Sequence, residues 1–177
     1  MPRLFVALRP PLSVRNLLRG RMEGVADARW QTDDQIHITL RFIGEVDGLA
    51  AEDIGLALQS VRHPPFDIAL EGIRTFDRKG RIDALWAGLS PVDALTALHN
   101  KIDHMMVRIG LPPEGRAYRP HVTLARFGRH GGDVAAFAAH NAGLTSASFR
   151  IESFGLFESR LGQTGARYEQ VSRYALA

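Results

Sequence analysis

Two short segments carry the side chains best suited to moving protons: His37-Ile38-Thr39-Leu40 and, 84 residues later (37 to 121), His121-Val122-Thr123-Leu124. A glycine follows each histidine at the same distance, Gly44 and Gly128. An imidazole titrates at about pH 6.5, so it can give or take a proton near neutrality. A threonine hydroxyl can donate a hydrogen bond to a non-bridging phosphate oxygen, where negative charge collects. In-line displacement at phosphorus sets the attacking and leaving oxygens on opposite sides of the atom, so a base and an acid must also face each other. Two histidines, two hydroxyls and an arginine would suffice. One His-x-Thr in a strand is ordinarily structural; two copies, one per half of the chain, carry the reading. A metal centre is disfavoured. Asp33, Asp34 and Glu45 flank the first motif, nothing matches them around the second, and no third histidine stands at ligand spacing.

These groups must be held by strands. His37 to Ile43 and His121 to Phe127 both alternate and are rich in β-branched and aromatic residues. Side chains at i and i+2 share a face, so His37 projects with Thr39 and His121 with Thr123, while Ile38, Leu40, Val122 and Leu124 enter a core. Parity puts Arg41 on the His37 face. It turns Arg126 away from His121, unless the strand bends or ends near Ala125. Further strands are expected at Leu4–Leu8, Phe66–Ile73 and Ala84–Leu89, with a polar stretch from Arg74 to Gly80 between the last two. Phe149–Phe157 and Tyr168–Leu176 read as a closing antiparallel pair. Helices are expected from Ser13, as a cap, to about Met22, over Leu49–Val61, for about 18 residues after Pro91, and briefly between Asp133 and His140. Strands alternating with helices predict an α/β or α+β fold with helices covering sheet faces. The repeat suggests two related lobes whose His/Thr faces oppose each other across a cleft.

Composition sets bounds. The 177 residues are 45% hydrophobic, enough for a globular core. The net charge of +3 provides no long polybasic arm, and all the basic residues except Lys79 and Lys101 are arginine, whose planar fork grips phosphate. The absence of cysteine removes disulfides, thiolate metal sites and a cysteine nucleophile together. No signal peptide or bilayer-length apolar run is visible, and the expectation is a cytoplasmic monomer without a membrane. His63, His130 and His140 sit in turn-like surroundings, and His99 and His104 are expected to face solvent from the long helix. Trp30 and Tyr118 could stack on a base, Trp30 more readily serving the core. Arg74, Arg78, Lys79 and Arg81 could guide a phosphate-bearing substrate to the cleft or simply solvate a hairpin tip.

With these residues in hand, the chain resembles the 2H phosphoesterase superfamily, defined by paired His-x-Thr/Ser motifs. More closely, it is similar to the RNA 2′,3′-cyclic phosphodiesterases, also named 2′-5′ RNA ligases. The resemblance runs from Arg3-Leu4-Phe5-Val6-Ala7-Leu8 and Trp30, through both motifs and their flanks, to Phe157-Glu158-Ser159-Arg160-Leu161, Gly165 and Tyr168. It implies one domain over residues 1–177: a bilobal pseudo-twofold α+β fold with antiparallel sheets lining a central cleft and helices outside. It implies RNA with 2′,3′-cyclic phosphate ends, such as tRNA fragments, or cyclic nucleotides as substrates. A terminal cyclic phosphate would open to a 2′-phosphate, certain tRNA halves would join reversibly through a 2′-5′ bond, and no cofactor or metal would be needed. By carry-over, His37 and His121 are the catalytic pair and Thr39, Thr123 and Arg126 bind phosphate; analogy with relatives favours His121 as base and His37 as acid, while the pseudo-symmetry leaves the reverse assignment open. Tyr118 and Arg41 are added as substrate-binding candidates from their positions alone. The reading from a different class is a binding module that holds nucleotides or RNA ends without turnover.

Overall fold

The apolar runs and the alternating segments become strands of one curled antiparallel sheet. The computed structural model describes residues 1–177. The chain passes through β1 (Arg3–Leu8), α1 (Leu12–Arg19), β2 (Arg29–Trp30), a 3₁₀ turn (Asp33–Gln35), β3 (Ile38–Glu45), α2 (Gly48–Leu58), β4 (Phe66–Arg78) and β5 (Arg81–Ser90). It continues through α3 (Asp93–Arg108), β6 (Val122–Arg126), α4 (Ala135–His140), β7 (Phe149–Ile151), β8 (Ser153–Gly162) and β9 (Gly165–Ala175). The strand order is β7-β4-β5-β6-β3-β1-β8-β9, with the short β2 added against β6. All strand pairs are antiparallel. This is an α+β fold.

The two strands that follow the histidines, β3 and β6, are neighbours at the middle of the sheet, with three strands beyond each. They meet through a single paired rung, Ile38 opposite Val122. One face of the sheet carries the main core, which Leu4, Val6, Leu8, Ile38, Leu40, Val122 and Leu124 share with α1, α2 and α3. The alternate residues of β1 and β8, Phe5, Ala7 and Phe157, form a separate small cluster on the opposite face. Fully burying each large apolar side chain contributes about 1.5–3 kcal/mol, so the first face fixes the register and the second stays free to line a cleft.

Several expectations change. Helix α1 starts at Leu12 behind Pro11, with no side-chain cap, and stops at Arg19. The polar stretch after Ile73 is not a separator. It is the outer part of a long hairpin whose two-residue turn, Lys79 (φ 51°) and Gly80 (φ 77°), has the left-handed backbone that tight hairpins need. Phe149–Phe157 is not one strand. The chain breaks at Glu152, so that β7 pairs with β4 at one edge of the sheet while β8 pairs with β1 and β9 at the other.

Candidate active site

The Ile38–Val122 rung organises the site. Both side chains enter the core, and each is fully buried. Continuing the antiparallel register by one residue in each direction sets His37 opposite Thr123 and Thr39 opposite His121. Both histidines immediately precede their strands, so the four side chains surround the rung on the face away from the core. The arrangement has local twofold character: exchanging β3 for β6 exchanges one His/Thr pair for the other.

Each imidazole is oriented by a carbonyl two residues upstream. His37 Nδ1 donates to the Gln35 carbonyl at 2.6 Å, and His121 Nδ1 donates to the Arg119 carbonyl at 2.7 Å. A carbonyl can only accept, so Nδ1 carries the hydrogen in both rings and Nε2 is left as the reactive atom. His37 Nε2 accepts from the Thr39 hydroxyl at 2.9 Å, whereas His121 Nε2 makes no hydrogen bond within the protein. Aromatic walls enclose both rings. Phe5 and Tyr168 each lie 5.2 Å from His37, and Phe76 and Trp86 lie 4.9 and 5.5 Å from His121. Burial therefore pushes the His37 pKa down to about 4. Its bond to Gln35 opposes that, and the charges of His121, Arg126 and Arg9 add to it. His121 is also lowered, first by burial and then by Arg126, against the opposing Arg119 bond. Both rings are neutral at pH 7 in the free protein.

The support behind His37 is the tighter of the two. Gln35 accepts from the Thr32 amide at 3.0 Å and donates to the Ala166 carbonyl of β9 at 2.7 Å. Arg9 donates to the Asp33 carbonyl, and the Arg15 guanidinium, hydrogen-bonded to the Asp33 carboxylate, holds that carboxyl below its ordinary pKa.

Matching β-bulges decide which arginine reaches the cleft. Leu40 is an extra residue in β3 between the pairs Thr39–Ala7 and Arg41–Val6, and Leu124 is an extra residue in β6 between Thr123–Trp86 and Ala125–Leu85. A bulge puts two consecutive residues on one face and shifts the parity beyond it. Leu40 and Arg41 thus both turn to the core side, as do Leu124 and Ala125. Five residues after each histidine, Phe42 and Arg126 return to the cleft face. Arg126 reaches the cleft face because the bulge corrects the alternation that pointed it away.

Arg41 does not. It is only 6% exposed, bonds Asp103 of α3 at 2.7 Å, and also donates to the Phe42 and Pro112 carbonyls. Burial alone would raise the Asp103 carboxyl, but the Glu114 amide and Arg41 together hold it below its ordinary value. Arg41 is a latch between sheet and helix. Arg41→Gln leaves that carboxylate half-matched, at a cost on the order of 1–3 kcal/mol. Melting is expected several degrees lower, with kcat/KM within about threefold of wild type. A hundredfold loss of kcat without a change in melting would return Arg41 to the cleft.

Tyr118 is the second correction. Its ring stacks on His99 at 4.1 Å and 2°, and its hydroxyl donates to the Thr39 carbonyl at 2.9 Å. One ring face is covered by His99 and the hydroxyl, its pKa raised by burial, is committed to the Thr39 carbonyl, so the residue buttresses β3. His99, expected in solvent, is buried and donates through Nδ1 to the Leu40 carbonyl at 2.5 Å. Together these two groups satisfy adjacent carbonyls at the β3 bulge. The Leu124 carbonyl at the β6 bulge is matched by the Gln31 amide at 2.8 Å. Trp30 serves the core, 5.6 Å from Phe137. The signal for the burial of His99 lay in the spacing of Leu95, Leu98, Ile102 and Met106, since position 99 falls four after Leu95 on the same stripe of α3. The walls Phe5, Phe76, Trp86 and Tyr168 went unnoticed; the alternation of Phe5 with core residues Leu4 and Val6 was the available signal.

No group of three or more His, Cys, Asp or Glu side chains is placed to hold a metal ion. No helix is long and apolar enough to cross a membrane.

Residues 18–163 match the family model described as the 2′-5′ RNA ligase superfamily. The RNA 2′,3′-cyclic phosphodiesterase of Archaeoglobus fulgidus is 27% identical over 172 residues, 96% of this chain and 97% of that protein. The protein of the same name from Aeropyrum pernix is 39% identical over 95 residues, so that match spans about half of each chain, 53% and 54%. The crystal structure of E. coli LigT complexed with 3′-AMP superposes with a TM-score of 0.84 at 25% identity, covering 100% of this chain and 99% of that one.

Proposed function

This chain belongs to the 2′-5′ RNA ligase superfamily, and from that premise we propose that it opens terminal 2′,3′-cyclic phosphates of RNA to 2′-phosphates by metal-free acid–base catalysis. The observation that carries the reading is the His/Thr quartet around the Ile38–Val122 rung, with both Nε2 atoms on the face away from the core. The named relatives from Archaeoglobus fulgidus and Aeropyrum pernix support the substrate class. The E. coli structure's 3′-AMP is a nucleotide monophosphate held by a protein of the same fold. The two halves of the sheet, each with one motif, are read as interleaved pseudo-symmetric lobes of a single domain, working as a monomer.

In the proposed reaction a water attacks phosphorus while His121 Nε2 accepts its proton. The bond from phosphorus to the 3′ oxygen breaks, and His37 Nε2 delivers a proton to that oxygen, leaving a 2′-phosphate and a 3′-hydroxyl. His121 suits the base because its Nε2 is unoccupied and its ring is the less deeply buried. His37 suits the acid: enclosed by Phe5 and Tyr168, its imidazolium is strongly acidic. When His37 takes a proton, Nε2 can no longer accept from Thr39, whose hydroxyl is freed for a phosphate oxygen. Arg126 and Thr123 hold the remaining charge. A 5′-hydroxyl of a second RNA in place of water gives a 2′-5′ linkage by the same proton movements, and the reverse reaction cleaves it.

Both rings are neutral in the free protein, so the acid's proton must be taken up as the anionic phosphate docks. The bound anion raises both pKa values. The productive state of the free enzyme, one ring protonated, therefore becomes scarcer as pH rises above the lowered pKa values. The profile of kcat/KM for 2′,3′-cAMP is expected to peak below pH 6.5, and that of kcat at higher pH. The assay is turnover in EDTA with the product identified as 2′-AMP. Activity abolished by EDTA, or tight nucleotide binding without turnover, would overturn the proposal; coincident optima above pH 7 would overturn its proton inventory.

A further inference from the structure

We infer that the cleft divides an RNA end between its two walls, with the β4–β5 arm on the His121 side holding the phosphates upstream of the cyclic terminus. The inference rests on the cyclic phosphodiesterase reading and adds the path of the chain.

The register of the hairpin places Arg74 opposite Trp86, Phe76 opposite Ala84 and Arg78 opposite Arg81. Trp86 and Phe76 both touch His121, so Arg74, Phe76 and Arg78 form one stripe on the cleft face of β4. Its members stand about 7 Å apart along the strand. Arg126 of β6 also lies opposite the small side chain of Ala84, on the same face. The Arg74 guanidinium lies over the Trp86 ring at 5.7 Å, a stacking that leaves its charge without a carboxylate partner. The sole carboxylate contact among these three arginines is Arg78 to Asp83, at 3.7 Å between side chains 78% and 38% exposed. Such a pair holds little and exchanges readily for phosphate.

The His37 wall differs. Phe5, Phe157 and Tyr168 make it mainly aromatic. The hairpin arginine beyond it, Arg160, is already bracketed by Glu158 at 3.3 Å and Glu169 at 3.6 Å. Basic side chains interleaved with an aromatic ring are what single-stranded RNA needs: charge for the backbone and a face for a base. A cyclic phosphate ends its strand, so the remaining chain must leave the site in one direction, and the larger group of arginines without a strong carboxylate partner, Arg74, Arg78 and Arg126, lies on the arm's side, against Arg3 alone over the Phe42 ring on the other.

The test compares 2′,3′-cAMP, which has no upstream phosphate, with a short oligoribonucleotide ending in a 2′,3′-cyclic phosphate. In the Arg74→Gln/Arg78→Gln double variant, kcat/KM for the oligonucleotide is expected to fall about tenfold, chiefly through KM. Its dependence on salt should become shallower by about one unit of log–log slope. Turnover of 2′,3′-cAMP should stay within twofold. Arg78→Glu alone should reproduce the discrimination without disturbing the packing around Trp86, and Arg160→Gln should leave both substrates unaffected. Equal losses on both substrates, a loss with Arg160→Gln in place of the arm, or no loss at all would overturn the path. If the wild type does not open 2′,3′-cAMP, it is the activity itself that fails; if it does and the arm variants do not discriminate, only the path fails.

Discussion

His121→Ala and His37→Ala are each expected to lower kcat for 2′,3′-cAMP by about a thousandfold, in EDTA and with unchanged KM within a few-fold. General acid–base catalysis contributes roughly 10²–10⁴ in rate per group, and neither histidine has a neighbour able to replace it. The reactive Nε2 of His121 lies between aromatic walls, not beside a carboxylate. Thr39, the partner of His37, cannot carry a proton of similar acidity. The double variant should be scarcely slower than either single one, because acid and base act on one displacement. Melting should change little: both rings line the cleft, and the core beneath them is made by Ile38 and Val122. A loss below tenfold in either variant would remove that histidine from the chemistry.

The second large effect is at Arg126. Arg126→Gln is expected to cost about 10² in kcat, the scale for one preorganised donor to a phosphoryl oxygen. Arg126→Lys should recover part of it, as a point charge without the bidentate fork. A second readout separates this role from a structural one. After burial, the Arg126 charge is among the causes lowering both His37 and His121. Removing it lets both pKa values rise, so the kcat/KM optimum should move to higher pH. Loss of rate with an unmoved optimum would mean that Arg126 does not share the cleft with the two rings.

The contrast between Arg126 and Arg41 shows what the sequence does and does not reveal. The repeated His-x-Thr-Leu was legible because identical residue types at matching distances mark a shared role. So was α3, through the spacing of Leu95, Leu98, Ile102 and Met106. The bulges were not, since Leu40 and Leu124 look like ordinary inward residues of an alternating strand. One extra residue in each strand reversed the parity beyond it, exchanging the expected positions of the two arginines. The break at Glu152 was equally hidden. Its cause is a pairing between β7 and β4 across some 80 residues of chain, and local propensity carries no record of such a partner. The outer half of the β4–β5 hairpin read as a polar stretch between two strands because it bears charge, which an arm projecting past the core tolerates.

The single rung between β3 and β6 gives the molecule a mechanical character. Four strands on either side are joined by ladders of three or more pairs, yet at the centre the halves are paired through one rung, with β2 added against β6. The backbone hydrogen bonding of the sheet is sparsest where the two histidines stand. The distance across the reacting phosphorus is therefore not set by the protein alone. A ligand gripped from both sides would span the seam and add contacts across it where the sheet has a single rung.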